Sequence, residues 1–244
     1  MKRILYCVNS IILNYKSWFF VGAALYLIDS KNIILSWLTF LAMLIISHIA
    51  HYLNHLDDSY PFNIAHLYHH SHSNWVSHWI QIILEFNSIL LILIVKRIIN
   101  YQYNIILPLS DAVVFFFYIF YTTVHNINYS IFHINHIHEE HHRLFVKNVG
   151  PDISDLLLGT KLNPETDLEN TDHYIPNIIG SLIIVLLCNY FSEKNTNVAW
   201  YLSFGFLFTY IIGLLIIIIS TIRIFIQETK DFLANDLEHF TSSH

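Results

Sequence analysis

The chain has 244 residues, 55% of them hydrophobic and only 12% charged, against about 25% charged in an ordinary soluble domain. With a mean hydropathy of +0.48, too few charges remain to solvate a globular surface, and a net charge of −6 without any basic cluster excludes a nucleic-acid binder. Cys7 and Cys188, far apart and in apolar surroundings, supply neither a disulfide framework nor a thiolate metal site.

The first element, MKRILYCVNSIIL, has the positive start and apolar continuation of a secretory signal. Asn14-Tyr15-Lys16 interrupts it, no clean cleavage site follows, and a second apolar segment comes next, so a retained N-terminal membrane segment within 5–28 is expected. Further spans are predicted at about 33–50, 79–99 and 105–124. A polar stretch occupies 125–176, and a C-terminal pair follows at about 177–191 and 198–222, the first of them short and tilted or partly inserted. The apolar runs are continuous rather than alternating, so they read as helices and not barrel strands. The expected fold is an all-α integral membrane protein, a bundle of about four to six transmembrane helices.

Counting crossings puts sixteen of the seventeen histidines on one membrane face, with only His244 too terminal to place. Lysine and arginine favour the same face by about eight to four, which reads as cytosolic. The sequon Asn128-Tyr129-Ser130 then faces the cytosol and should stay unmodified. Glu85 and Asp111 fall within or at the edge of predicted spans, where a carboxylate is expensive and functionally suspect, or else marks a span boundary.

Three histidine clusters have ligand-like spacing: His51-x3-His55, His66-x2-His69-His70 and His138-x2-His141-His142. Offsets of three and four put the rings of each cluster on one helix face, within about 100° of arc. Eight imidazoles thus converge at one membrane depth, and His125, at the end of the fourth span, is the natural ninth. Neutral imidazole suits iron, copper, nickel and zinc. Eight or nine donors exceed the needs of one ion, so two metals sharing the set is the economical reading. A redox-active pair beside a bilayer can activate dioxygen against a lipid C–H bond, which zinc, lacking redox chemistry, cannot.

The three boxes in this order resemble the fatty acid hydroxylase/sterol desaturase superfamily of membrane di-iron enzymes, as does the short gap between His55 and His66. The stretch Asn148-x-Gly150-x-Asp152-x2-Asp155-x3-Gly159-Thr160 is similar to a tail that follows the third box in that family. Tyr52 and Leu158 depart from its usual arginine and aromatic residue. The resemblance covers about 35–162. It implies a histidine-box domain there, between an N-terminal membrane segment (1–34) and a polar linker with a C-terminal membrane hairpin and tail (163–244). It further implies two iron ions (zinc being possible in purified material), dioxygen as co-substrate, and ligands His51, His55, His66, His69, His70, His138, His141 and His142, with His125 mapping less directly. Electrons would come from cytochrome b5 or its reductase, and the protein would sit in the endoplasmic reticulum with its boxes facing the cytosol.

Other residues are secondary candidates. His48 shares a face with His51 and His55, and His173 could approach from the polar segment, either as an additional ligand or as a partner of one. Asp152 and Asp155 could accept N–H bonds from ligand imidazoles, or simply cap and solvate a loop. His72 and His78 read as interfacial or supporting residues. On a continuous helix His133 and His136 point away from the third box, Glu140 points opposite it and Glu139 lies on its flank. Hydroxylation and desaturation of an acyl chain or sterol stay nearly even. The competing readings are a metal-handling membrane protein, a transporter or store, which would need ligands along a path through the bilayer, and a catalytically inactive family member.

Overall fold

A computed structural model describes residues 2–56, 66–67, 69–71 and 75–194, with isolated positions between 215 and 230. The predicted span at 198–222 lies outside the described residues apart from Leu215, Ile219 and Ile222, and so does His72. The described residues are all-helical, with no strand among them. The helices are α1 (Lys2–Leu13), α2 (Tyr15–Ile28), α3 (Ile33–Leu53), α4 (Trp75–Tyr103), α5 (Asp111–Thr123), α6 (His136–Leu144), α7 (Asp152–Leu158) and α8 (Ile175–Lys194).

Among the described residues two stretches are long and apolar enough to cross a membrane, Ser30–Leu53 and Asp172–Lys194. The pair α1 and α2, bent by 76°, adds a third if it counts as one span. The bend falls at Asn14, the polar break visible in the sequence. Beyond it Asn14 Nδ2 donates to the Glu169 carbonyl and Ser17 Oγ to the Thr171 carbonyl, tying the N-terminal segment to the distant polar stretch.

The fourth predicted span begins later than its hydropathy suggests. Residues 104–110 are not helical, and α5 starts at Asp111, whose carboxylate pairs with Lys96 of α4 at 2.5 Å. Asp111 therefore marks a boundary rather than a buried charge. At its other end α5 runs on as a π-helical turn, Val124–Ile131, in which Phe132 N–H donates to the Ile127 carbonyl and Ser130 Oγ to the His125 carbonyl, both five residues back. Such wide turns recur at functional sites. Asn128 is buried here, its Nδ2 donating to the His173 carbonyl and to Asn177 Oδ1, so the sequon is occupied by internal bonds.

The core is a stack of aromatic rings. Phe40 of α3 lies 5.5 Å from Phe117 and 6.3 Å from both Phe116 and Phe120 of α5, with Ala24 and Leu25 of α2 and Ile178 of α8 closing around it. These helices pack closely, and small residues permit the approach. Gly22 shows it: a Cβ there would lie 3.1 Å from the Trp37 ring. Helices α3, α4 and α5 bring the C-terminal end of α3, the N-terminal part of α4 and the C-terminal end of α5 together at one face, where α1, α6 and α7 also lie.

Candidate metal centre

At that face the histidines divide into two groups, and the division cuts across the sequence boxes. His51, at the end of α3, and His55, just beyond it, meet His66 and His70 of the second box and His141 of the third. Their Nε2 atoms nearly touch: His55 to His66 at 3.1 Å, His66 to His70 at 3.2 Å and His141 to His51 at 3.2 Å. Donor atoms of His51, His55, His70 and His141 all lie within 4.8 Å of one another. The second group is His69, His125, His138 and His142. His142 and His138 Nε2 are 3.0 Å apart, and ring centroids stand 4.6 Å apart for His125–His138 and 5.1 Å for His69–His142. His70 stacks on His142 at 4.1 Å and joins the two groups.

Helical geometry accounts for the division. Within H-x-x-H-H, residues i and i+4 lie one above the other, so His66 and His70 enter the first group while His69 turns to the second. In the third box His138 and His142 enter the second group and His141 the first. Two adjacent histidines, 100° apart on a helix, are thereby assigned to different groups.

The donor set fits metal binding. Ligand nitrogens held about 2.1 Å from a shared ion lie roughly 3.0–3.4 Å from each other, and the Nε2 contacts above fall in or near that range. Burial pushes the His55 and His142 imidazoles down to about 4, and lowers His66, His69, His70, His138 and His141 further, each aided by repulsion from neighbouring histidines. Uncharged imidazole is the ligating form. Several buried ring nitrogens, including His125 Nε2 and both of His69, have no hydrogen-bond partner among the described residues.

Orientation comes from the opposite ring nitrogen. His141 Nδ1 faces the Lys147 carbonyl at 2.9 Å, and His66 Nδ1 faces Gln81 Oε1 at 3.0 Å. His125 Nδ1 bonds Glu85 Oε1 directly, and His51 Nδ1 lies 3.4 Å from the Tyr121 hydroxyl. Gln81 and Glu85 were not linked to the boxes by sequence reasoning. Their signal is a polar stripe, His78-x2-Gln81-x3-Glu85, on one face of the otherwise apolar α4. His78 itself brings its ring to 5.9 Å from His69.

The secondary candidates take other places. Both ring nitrogens of His48 face hydroxyls, Ser154 Oγ and Thr160 Oγ1, each at 3.1 Å. His173 Nδ1 faces the Asn170 carbonyl, with the Tyr129 ring between it and His138. Asp152 pairs with Lys161 at 2.5 Å and accepts from Glu169 N–H. Asp155 accepts from the Val149 and Gly150 amides and the Thr160 hydroxyl, and lies 3.7 Å from His48. Neither carboxylate reaches a box histidine; both instead brace the loop that brings the Lys147 carbonyl to His141. Burial pushes the Asp155 carboxyl up to about 7.

His136 points away as helical phasing predicts, whereas the backbone breaks before α6, so His133 is turned out by the chain itself. His133 lies outside α6 with a φ of 48°, and exposed His136 pairs with Asp167 at 3.2 Å. Glu140 turns to Asn148 and Glu139 to His133.

Comparison with protein-family models, with curated proteins and with solved structures returned no match for this chain.

Proposed function

We propose that this chain is a membrane-embedded di-iron oxidoreductase that uses dioxygen to hydroxylate or desaturate a lipid, either an acyl chain or a sterol. The observation that carries the reading is two groups of closely packed imidazoles, the first of which opens onto a largely apolar cavity. That cavity, about 270 Å³, lies between α3, α4 and α5; Met43, Ile46 and Ile92 form apolar walls, and His51 and His66 stand at its polar end.

His51, His55, His66, His70 and His141 would hold one iron, and His69, His125, His138 and His142 the other. Bound iron would supply dioxygen activation and removal of hydrogen from an unactivated C–H bond. The protein supplies the rest. Neutral Nε2 atoms face inward because their Nδ1 partners fix the rings. The apolar walls bind a hydrocarbon and exclude water, and the position of the bound carbon decides between alcohol and alkene. Because the histidines gather at helix ends on one face and not along a path through the bundle, enzyme is favoured over transporter.

About four to six crossings are proposed, from α2, α3, α4, α5, α8 and the segment at 198–222. The charge asymmetry of the sequence supports a cytosolic histidine face, and the proposed setting is the endoplasmic reticulum, with cytochrome b5 or its reductase as the electron donor. Two measurements test the proposal. Purified protein should carry about two irons per chain, and a stoichiometric zinc form that never accepts iron counts against it. Expression in a host with profiled acyl and sterol pools should yield a product that His141→Ala abolishes. Identical pools for both forms would overturn the reading.

A further inference from the structure

Glu85 is a carboxylate buried in an apolar helix, and each hydrogen bond it accepts leads towards a histidine group or to the turn that carries one. Oε1 takes the His125 Nδ1 proton and the Gln81 Nε2 proton, the latter at 2.9 Å, and Oε2 takes Asn126 Nδ2 at 2.7 Å. Both Glu85 oxygens act as acceptors in this network, so all three partners donate. That requirement settles the Gln81 amide: with Nε2 spent on Glu85, Oε1 is what faces His66 Nδ1 at 3.0 Å. His66 must therefore carry its proton on Nδ1 and present an unprotonated Nε2 to His55 and His70. His125, protonated on Nδ1 by the same logic, presents its unpartnered Nε2 towards His138 and His69.

We propose that Glu85 is a positioning residue that sets the tautomer of one histidine in each group, directly at His125 and through Gln81 at His66. It touches neither group's inward-facing nitrogens. The same turn of α4 thereby prepares both halves of the centre: one carboxylate accounts for the protonation pattern of two histidines from different groups. The geometry stands apart from the proposed activity, and only its consequence for metal affinity rests on the di-metal reading.

The test uses the full-length protein in detergent, with ¹⁵N-labelled histidine to read tautomers in the metal-free state and cobalt(II) as the probe metal. Wild type should show Nδ1-protonated rings at His66 and His125 and bind two cobalt ions. Gln81→Met should release the His66 tautomer alone and loosen one of the two ions by about 10–100-fold, the usual effect of removing a ligand's outer partner. Glu85→Ala should release both tautomers and loosen both ions. Glu85→Gln should restore both, because its one oxygen can still accept from His125 and Gln81 while Asn126 turns its unpartnered Oδ1 to the new amide N–H. The proposal is overturned if Glu85→Ala alters His125 alone, if Gln81→Met loosens both ions equally, or if Glu85→Gln behaves like the alanine variant. A wild type that binds no cobalt would defeat the di-metal reading, while the tautomer signals would still decide this one.

Discussion

The imidazole of His141 is held between two partners: Nδ1 faces the Lys147 carbonyl at 2.9 Å and Nε2 faces His51 Nε2 at 3.2 Å. The first contact exists because the chain after α6 turns back on itself, through Phe145 and Asn148 at φ values of 49° and 51°, into the amides gripped by Asp155. Gly150 is the tight point of that loop. A Cβ there would lie 2.8 Å from both His48 Nδ1 and Ser154 Oγ. Gly150→Ala should therefore push the loop outward and weaken metal retention about tenfold, measured by chelator competition. Gly180→Ala, with open space at its Cβ, should change nothing.

The two-group division predicts which ions separate. His55→Ala and His69→Ala each remove one imidazole, from different groups. Each should lower metal content from about two ions to about one per chain, and the two variants should lose different ions. Cobalt substitution, with distinct visible spectra for the remaining ion, checks this. His136→Ala, at an exposed residue that pairs with Asp167 and lies outside both groups, should keep both ions.

Acid should destabilise the metal-free protein. The lowered imidazoles take up protons near pH 6.5 when unfolded but only towards pH 4 or below when folded, as at His55 and His142. The unfolded chain binds more protons between those values, so stability falls as pH drops from about 6.5 towards 4. Asp155 and Glu169, pushed up to about 7 by burial, act in the opposite sense, their stabilisation being lost as pH rises from about 4 to 7. Seven lowered imidazoles outside the spans outnumber these two carboxylates and the modestly raised Asp152. The acid limb should dominate in thermal unfolding followed from pH 7 to pH 4.

Lys161 and Asp152 form an ion pair at 2.5 Å, with side chains only 2% and 3% exposed. Removing one partner strands a buried charge, which typically destabilises by about 3–5 kcal/mol. Lys161→Met should lower stability on that scale, read from denaturant unfolding, and Lys161→Met with Asp152→Asn should recover part of it.

Much of this protein was legible in its sequence. Continuous apolar runs dictate helices, because in a bilayer only a helix or closed barrel satisfies its own backbone. Offsets of three and four gathered the box histidines onto helix faces, and the same phasing turned His136 and Glu140 away. Other features depend on long-range contacts that periodicity does not encode. Helical spacing treats each H-x-x-H-H as one unit, yet packing against α3 and the end of α5 divides each between two groups, since adjacent residues project 100° apart. Hydropathy could not tell that Asp111 pairs with Lys96 at the start of α5 while Glu85 remains buried; both are single carboxylates in apolar sequence. Nor could it show that Asp152 and Asp155 serve a loop instead of an imidazole. The sequence by itself determined which residues could become ligands, because ligand chemistry and helical period are local. Only the tertiary structure decided which histidines share a group and which partner orients each ring, because a hydrogen bond between residues 40 positions apart exists only once the helices pack.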